Sequence, residues 1–159
     1  MPRITLQPIS AEAFAPFGQL LPAAAIGAPR PTLIEELINS RPNARARLNR
    51  SAFAPTPLPL TALRVERHLY SAQAFIPCGA LRYLVLVVPP RASDGMPDAA
   101  RALAFAVPGT MGINYAPGVW HHPMTALDGP AEFVTLTFVD GTDGDEEFVT
   151  LDEAVVIDE

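Results

Sequence analysis

Three histidines, His68, His121 and His122, and the polar residues around them are the part of this 159-residue chain best suited to chemistry. They fall in two short segments: Glu66-Arg67-His68 followed by Gln73-Ala74-Phe75-Ile76-Pro77, and Gly118-Val119-Trp120-His121-His122-Pro123. Histidine suits both metal ligation and proton transfer near neutral pH, so confining every copy to two segments points to one shared site. In an extended strand Glu66 and His68 point to the same face, as do Gln73 and Phe75. Arg67 then faces the other way, and His122 faces away from His121 if that segment is extended.

The elements that must hold these segments are short strands. Eighteen prolines cut the chain into pieces and leave little room for long helices. Ser10 is a plausible N-cap for a helical turn over Ala11 to Phe14, and Asp98 for one over Ala99 to Leu103. Ala62 to His68 alternates, with Leu63 and Val65 on one face and Arg64, Glu66 and His68 on the other. Tyr83 to Val88 is apolar on both faces, Leu103 to Val107 is a short apolar run, and Glu132 to Val139 is rich in β-branched and aromatic residues. Many short strands between Gly/Pro turns indicate an all-β sandwich or barrel, with the double-sheet jelly roll leading and one or two short helices at the periphery. No repeat or linker divides the chain, so residues 1–159 read as one domain.

Composition removes several function classes. The formal charge is −6 and the 11 basic residues, all arginine, are scattered, which argues against nucleic-acid or anionic-membrane partners. Lysine is absent, so a Schiff-base mechanism is excluded. The single cysteine, Cys78, fits a reducing cytosol and reads as a buried, inert thiol. No signal core or membrane-length apolar run occurs, so a soluble, cytoplasmic protein is expected. Trp120 reads as a packing residue. Asp140 to Glu147 fails the calcium-loop template and reads as a solvated turn joining two strands.

Glu66, His68, Gln73 and Gly79 resemble the first cupin motif, and Gly112, Pro117, Gly118 and His121 resemble the second. That resemblance implies a cupin-type double-stranded β-helix with a metal held by the equivalents of Glu66, His68, Gln73 and His121. Glutamate is a good ligand for a borderline divalent ion and neutral glutamine a weak one, so modest affinity is expected, and Gln73 is also a candidate to hydrogen-bond substrate. More specifically, Glu66-Arg67-His68, Gln73 to Pro77, Gly112-Ile113-Asn114-Tyr115 and Gly118 to Pro123 together resemble the ureidoglycolate lyase family over most of the chain. Weaker echoes are Phe14 to Gly18, Asn49-Arg50 and Ala104-Phe105.

The family resemblance implies cleavage of ureidoglycolate to glyoxylate and urea in allantoin and purine catabolism. It also implies a divalent metal, nickel being associated with the family, and no organic cofactor. Losing urea from a carbinol carbon needs a base for the hydroxyl proton, an acid for the departing nitrogen and a cation for the substrate carboxylate. His68, His121 and Glu66 are candidates for base or metal ligand, Arg50 or Arg67 for the bidentate carboxylate contact, and Tyr115 and His122 for the leaving group. Two other readings stay open: a cupin enzyme with a different hydroxy-acid specificity, and a small-molecule-binding cupin without turnover. Cupin barrels commonly dimerise through edge strands, so a homodimer is expected.

Overall fold

Proline and glycine punctuation breaks the chain into twelve strands. The computed structural model describes residues 1–159. Its strands are β1 (Arg3–Thr5), β2 (Gln7–Pro8), β3 (Gly18–Pro22), β4 (Arg45–Phe53), β5 (Leu60–His68), β6 (Gln73–Gly79), β7 (Arg82–Val87), β8 (Leu103–Pro108), β9 (Met111–Tyr115), β10 (Thr125–Ala126), β11 (Ala131–Val139) and β12 (Glu146–Asp158). Only two helical pieces interrupt them, α1 (Ala11–Phe14) and a 3₁₀ turn (Ala99–Arg101). Both start where a side-chain cap was expected. Ser10 Oγ accepts from the Ala13 N–H at 3.1 Å, and Asp98 Oδ1 from the Ala100 N–H at 3.2 Å.

One layer is an antiparallel five-stranded sheet in the order β3-β9-β6-β11-β4. The other layer contains two smaller groups, β1-β12-β5 and β10-β7-β8-β2. The segment Trp120–His122 joins them. Glu66 and His121 exchange both backbone hydrogen bonds at 2.8 Å, while Val88 donates to the Trp120 carbonyl and His122 to the Leu86 carbonyl, each at 2.9 Å. The first and last strands also pair, since β1 runs parallel to β12.

Strand β7 is apolar on both faces because it serves two clusters. Tyr83, Val85 and Val87 pack with Phe75, Phe105, Ile113, Tyr115 and Phe133. Leu84, Leu86 and Val88 pack with Ala62, Val65, Trp120, Val155 and Ile157. Gly18 shapes the entry from α1 into β3: its φ is 149°, and a Cβ there would meet the Asn114 carbonyl oxygen at 1.9 Å.

Two local expectations are corrected. Leu63 does not share the buried face with Val65; it is 54% exposed, while Ala62 and Val65 are fully buried. Between Arg64 and Ala62 the β5 partner jumps from Thr150 to Val155, and this bulge resets the alternation. Cys78 is exposed rather than buried. A register shift between Glu132 and Phe133 lets the end of β6 run off the core.

Phe14 links the fold to the site described below, with its ring 6.4 Å from Phe105 and 6.0 Å from Tyr115. Phe14→Ala is expected to cost about 3–5 kcal/mol, the usual loss for a fully buried phenylalanine, read as a fall in the urea unfolding midpoint at unchanged slope.

Candidate functional site

Residues from both layers line a cavity of about 500 Å³. Strand alternation decides what faces it. Glu66 and His68 come from β5, Gln73 and Phe75 from β6, Thr135 and Thr137 from β11, and Arg47, Asn49 and Ser51 from β4. Across the five-stranded sheet Thr135 pairs with both Phe75 and Asn49, and Thr137 with Arg47, so these side chains form rows on the inner face.

His121 lies behind this wall. It is 2% exposed, and its ring stacks on Tyr115 with centroids 4.0 Å apart and planes 14° apart. Its Nδ1 faces the Val119 carbonyl at 2.9 Å, which can only accept, so Nδ1 carries a hydrogen. Its Nε2 sits 3.1 Å from Gln73 Oε1 and 3.4 Å from Glu66 Oε1. His121 thus grips the two wall residues from the core side.

His68 is organised differently. Its Nδ1 lies 3.4 Å from Asp145 Oδ2, and its Nε2 is buried with no hydrogen-bond partner. Burial, then the neighbouring charge of His121, lowers the His68 pKa below the ordinary value, so the ring is neutral at pH 7. A neutral imidazole lining a polar cavity is a candidate Brønsted base. Thr137 Oγ1 is a second unpartnered buried polar atom on the same cavity.

The other expected residues are elsewhere. Arg50 points out of the sandwich, because even-numbered β4 positions face away from the cavity, and it pairs with Glu132 at 2.8 Å. Arg67 lies on the side of β5 opposite Glu66. It pairs with Glu147 at 2.6 Å, and its guanidinium sits 4.1 Å over the Trp120 ring. Neither arginine reaches the cavity, so neither provides the carboxylate clamp. Tyr115 is packed under His121 in the core rather than on the cavity wall, which removes it as an acid for a leaving group. His122 is also off the wall. Its Nδ1 donates to the Pro123 carbonyl at 2.9 Å, with Thr125 Oγ1 at 3.2 Å.

The expected metal tetrad is split by this arrangement. His121 Nε2 is turned to Gln73 and Glu66 behind the wall, while His68 is tied to Asp145, with the two rings 6.3 Å apart. No three His, Cys, Asp or Glu side chains gather around one point. As folded, Glu66, His68, Gln73 and His121 do not fit a four-ligand metal centre.

Sequence reasoning passed over Arg47, Asn49, Ser51, Thr135, Thr137, Arg41 and Asp145. The β4 and β11 residues carry a readable signal: from 45 to 53 the odd positions are polar apart from Phe53, and Ala46, Leu48 and Ala52 alternate with them. Arg41 and Asp145 lie outside regular strands and carried none. Arg41 bridges Asp140 at 2.9 Å and Asp145 at 3.3 Å, whereas Arg47 forms no ion pair. Asp145 is buried, so the acidic stretch is not simply a solvated turn.

Burial lowers the pKa of both His68 and His122. The unfolded chain therefore binds more protons in acid than the folded one. Stability is full above about pH 6.5, the ordinary histidine value, and is lost as pH falls through the depressed folded values. The urea midpoint should decline below about pH 6.5, and His122→Gln should make that decline shallower.

Comparison of the sequence with known proteins points to one family. A family model described as ureidoglycolate lyase covers residues 1–158. The ureidoglycolate lyase of Azotobacter vinelandii is 31% identical over 97% of this chain and 96% of its own length. That of Burkholderia cepacia is 37% identical over 84% and 78%, and that of Mesorhizobium japonicum 35% over 84% and 85%. Among solved structures, a dTDP sugar isomerase from Desulfovibrio desulfuricans G20 is a distant likeness, 18% identical over 86% of this chain and 83% of that one, with a TM-score of 0.49. With the family matched from end to end, and relatives above 30% identity spanning most of both chains, this protein belongs to the ureidoglycolate lyase family.

Proposed function

We propose that this chain is a carbon–nitrogen lyase that cleaves ureidoglycolate to glyoxylate and urea, with His68 carrying the proton. The observation that supports this most directly is that neutral His68, one of whose ring nitrogens is buried without a partner, lines a polar cavity together with the unpaired guanidinium of Arg47. The hydroxyl and the ureido nitrogen of the substrate share one carbon. One imidazole can therefore take the hydroxyl proton and return it to the departing nitrogen. As the O–H electrons form the new C=O bond, the C–N pair leaves with urea, and no net proton is needed.

The substrate is an anion, and Arg47 is the cavity-lining guanidinium free to meet its carboxylate in bidentate geometry. Arg41 is already occupied by Asp140 and Asp145. Glu66 and Gln73, steadied by His121, are placed to receive the ureido N–H and carbonyl groups. No step here is routed through a metal.

A homodimer in the cytoplasm belongs to the same proposal. Strand β4 is an outer strand of the five-stranded sheet, with Leu48 66% exposed, and the free thiol of Cys78 suits a reducing compartment. Sedimentation should give a mass near two chains.

Purified protein should release glyoxylate from ureidoglycolate, assayed with and without added nickel; no release in either arm would overturn the substrate assignment. His68→Gln is expected to lower kcat by roughly 10²–10⁴-fold, the usual worth of a general acid–base group, without unfolding the protein. Arg47→Ala should act mainly on KM, raising it roughly tenfold to a hundredfold, since hydrogen bonds to a charged group contribute about 1.5–3 kcal/mol.

A further inference from the structure

The stretch between β11 and β12 contains a buried carboxylate with more partners than any turn requires. Asp145 is 5% exposed. Its Oδ1 accepts from the Tyr70 N–H at 2.7 Å, and its Oδ2 accepts from Ser71 Oγ at 2.5 Å. The same Oδ2 lies 3.3 Å from Arg41 Nη2 and 3.4 Å from His68 Nδ1, while the Asp145 carbonyl accepts from the Leu69 N–H at 2.8 Å. These contacts pin the residue to the turn that immediately follows His68.

Arg41 Nη2 also donates to the Phe138 carbonyl at 2.8 Å, and Nη1 faces Asp140 Oδ2 at 2.9 Å. Arg41 therefore holds both ends of the 138–145 segment against the body of the protein. The carboxylate it anchors lies 3.4 Å from His68 Nδ1, while Nε2 is buried without a partner.

We infer that Asp145 is a positioning residue that holds His68 as the Nδ1–H tautomer and so leaves the lone pair on Nε2. The chemistry follows from donor and acceptor counting. A carboxylate already accepting from Ser71 and the Tyr70 N–H and facing Arg41 presents acceptor oxygens to His68, which favours the hydrogen on the ring nitrogen 3.4 Å away. With Nδ1 fixed as the donor, Nε2 is left as the base. The other charged groups facing His68 are His121, Glu146 and Glu66. The last two are carried by strands β12 and β5, and neither forms an ion pair with His68. The inference rests on the reading of His68 as the proton carrier, yet the tautomer itself can be observed without turnover.

Nitrogen-15 NMR of histidine-labelled protein, recorded near neutral pH without substrate, reads the tautomer directly. The wild-type His68 should show a protonated Nδ1 and an unprotonated Nε2; the reverse assignment would overturn the inference whatever any variant does. Asp145→Asn offers an amide that can donate to Nδ1, so it should shift His68 toward the Nε2–H form and lower kcat at least tenfold with KM little changed. Asp145→Glu, which keeps an acceptor, should restore the Nδ1–H tautomer and part of kcat. A folded Asp145→Asn variant with wild-type tautomer and kcat would refute the role. If no glyoxylate is released by any form but the tautomer responds as described, the lyase reading fails and the positioning of His68 stands.

Discussion

The pair of backbone hydrogen bonds between Glu66 and His121 is the constraint on which the rest of the site depends. It joins two otherwise separate strand groups into one layer and fixes the two histidine-bearing segments opposite each other. Because side chains alternate along a strand, that single register choice settles several directions at once. Glu66 and His68 must face the cavity, Arg67 must face Trp120, and His121 must turn its ring toward Tyr115 and Gln73. The Gly118 N–H donates to the His68 carbonyl at 2.7 Å, extending the same junction to the end of β5. A one-residue slip would exchange the cavity wall for the core.

That junction places polar groups where water is scarce, and their satisfaction is uneven. His121 has close oxygen neighbours at both ring nitrogens, the Val119 carbonyl at Nδ1 and the Gln73 and Glu66 side chains at Nε2. Asp145 is surrounded by donors. His68 Nε2, Thr137 Oγ1 and Arg41 Nε are buried without hydrogen-bond partners, and all three residues line the cavity. Leaving a buried polar atom unpaired costs on the order of 1–3 kcal/mol, so a fold that retains them beside one cavity carries a cost there.

Much of this was legible in the residues, and the limits have physical reasons. Period-two alternation and Gly/Pro punctuation identified an all-β sandwich, and Ser10 and Asp98 marked both helical starts. Strand parity correctly separated Glu66 and His68 from Arg67, and His121 from His122. It failed at Leu63, because a bulge on the partner strand is invisible in β5 itself. Arg50 was attractive for its neighbour Asn49, yet adjacent strand residues face opposite ways, and it is Asn49 and Arg47 that line the cavity. Asp145 was hidden by composition. Among Asp140, Asp143, Glu146 and Glu147 it reads as one more solvated charge, and only the long-range contacts of Ser71, Tyr70 and Arg41 distinguish it.

The arginines also explain how a chain of net charge −6 can receive an anion. With no lysine, every fixed cation is a guanidinium, and most are already matched. Arg3, Arg41, Arg50, Arg67, Arg82 and Arg91 each have a carboxylate partner, and Arg64 lies over the Phe148 ring. Arg41 in particular is spent on holding Asp140 and Asp145, so its charge organises the acidic segment instead of opposing it. Arg47 is different because its row on the sheet places Thr137, not a carboxylate, opposite it. An anion entering the cavity therefore meets an unneutralised guanidinium beside a hydroxyl that has no other partner. Arg47 and Thr137 come from β4 and β11 and His68 from β5, so the unpaired guanidinium and the imidazole line one cavity from different sheets.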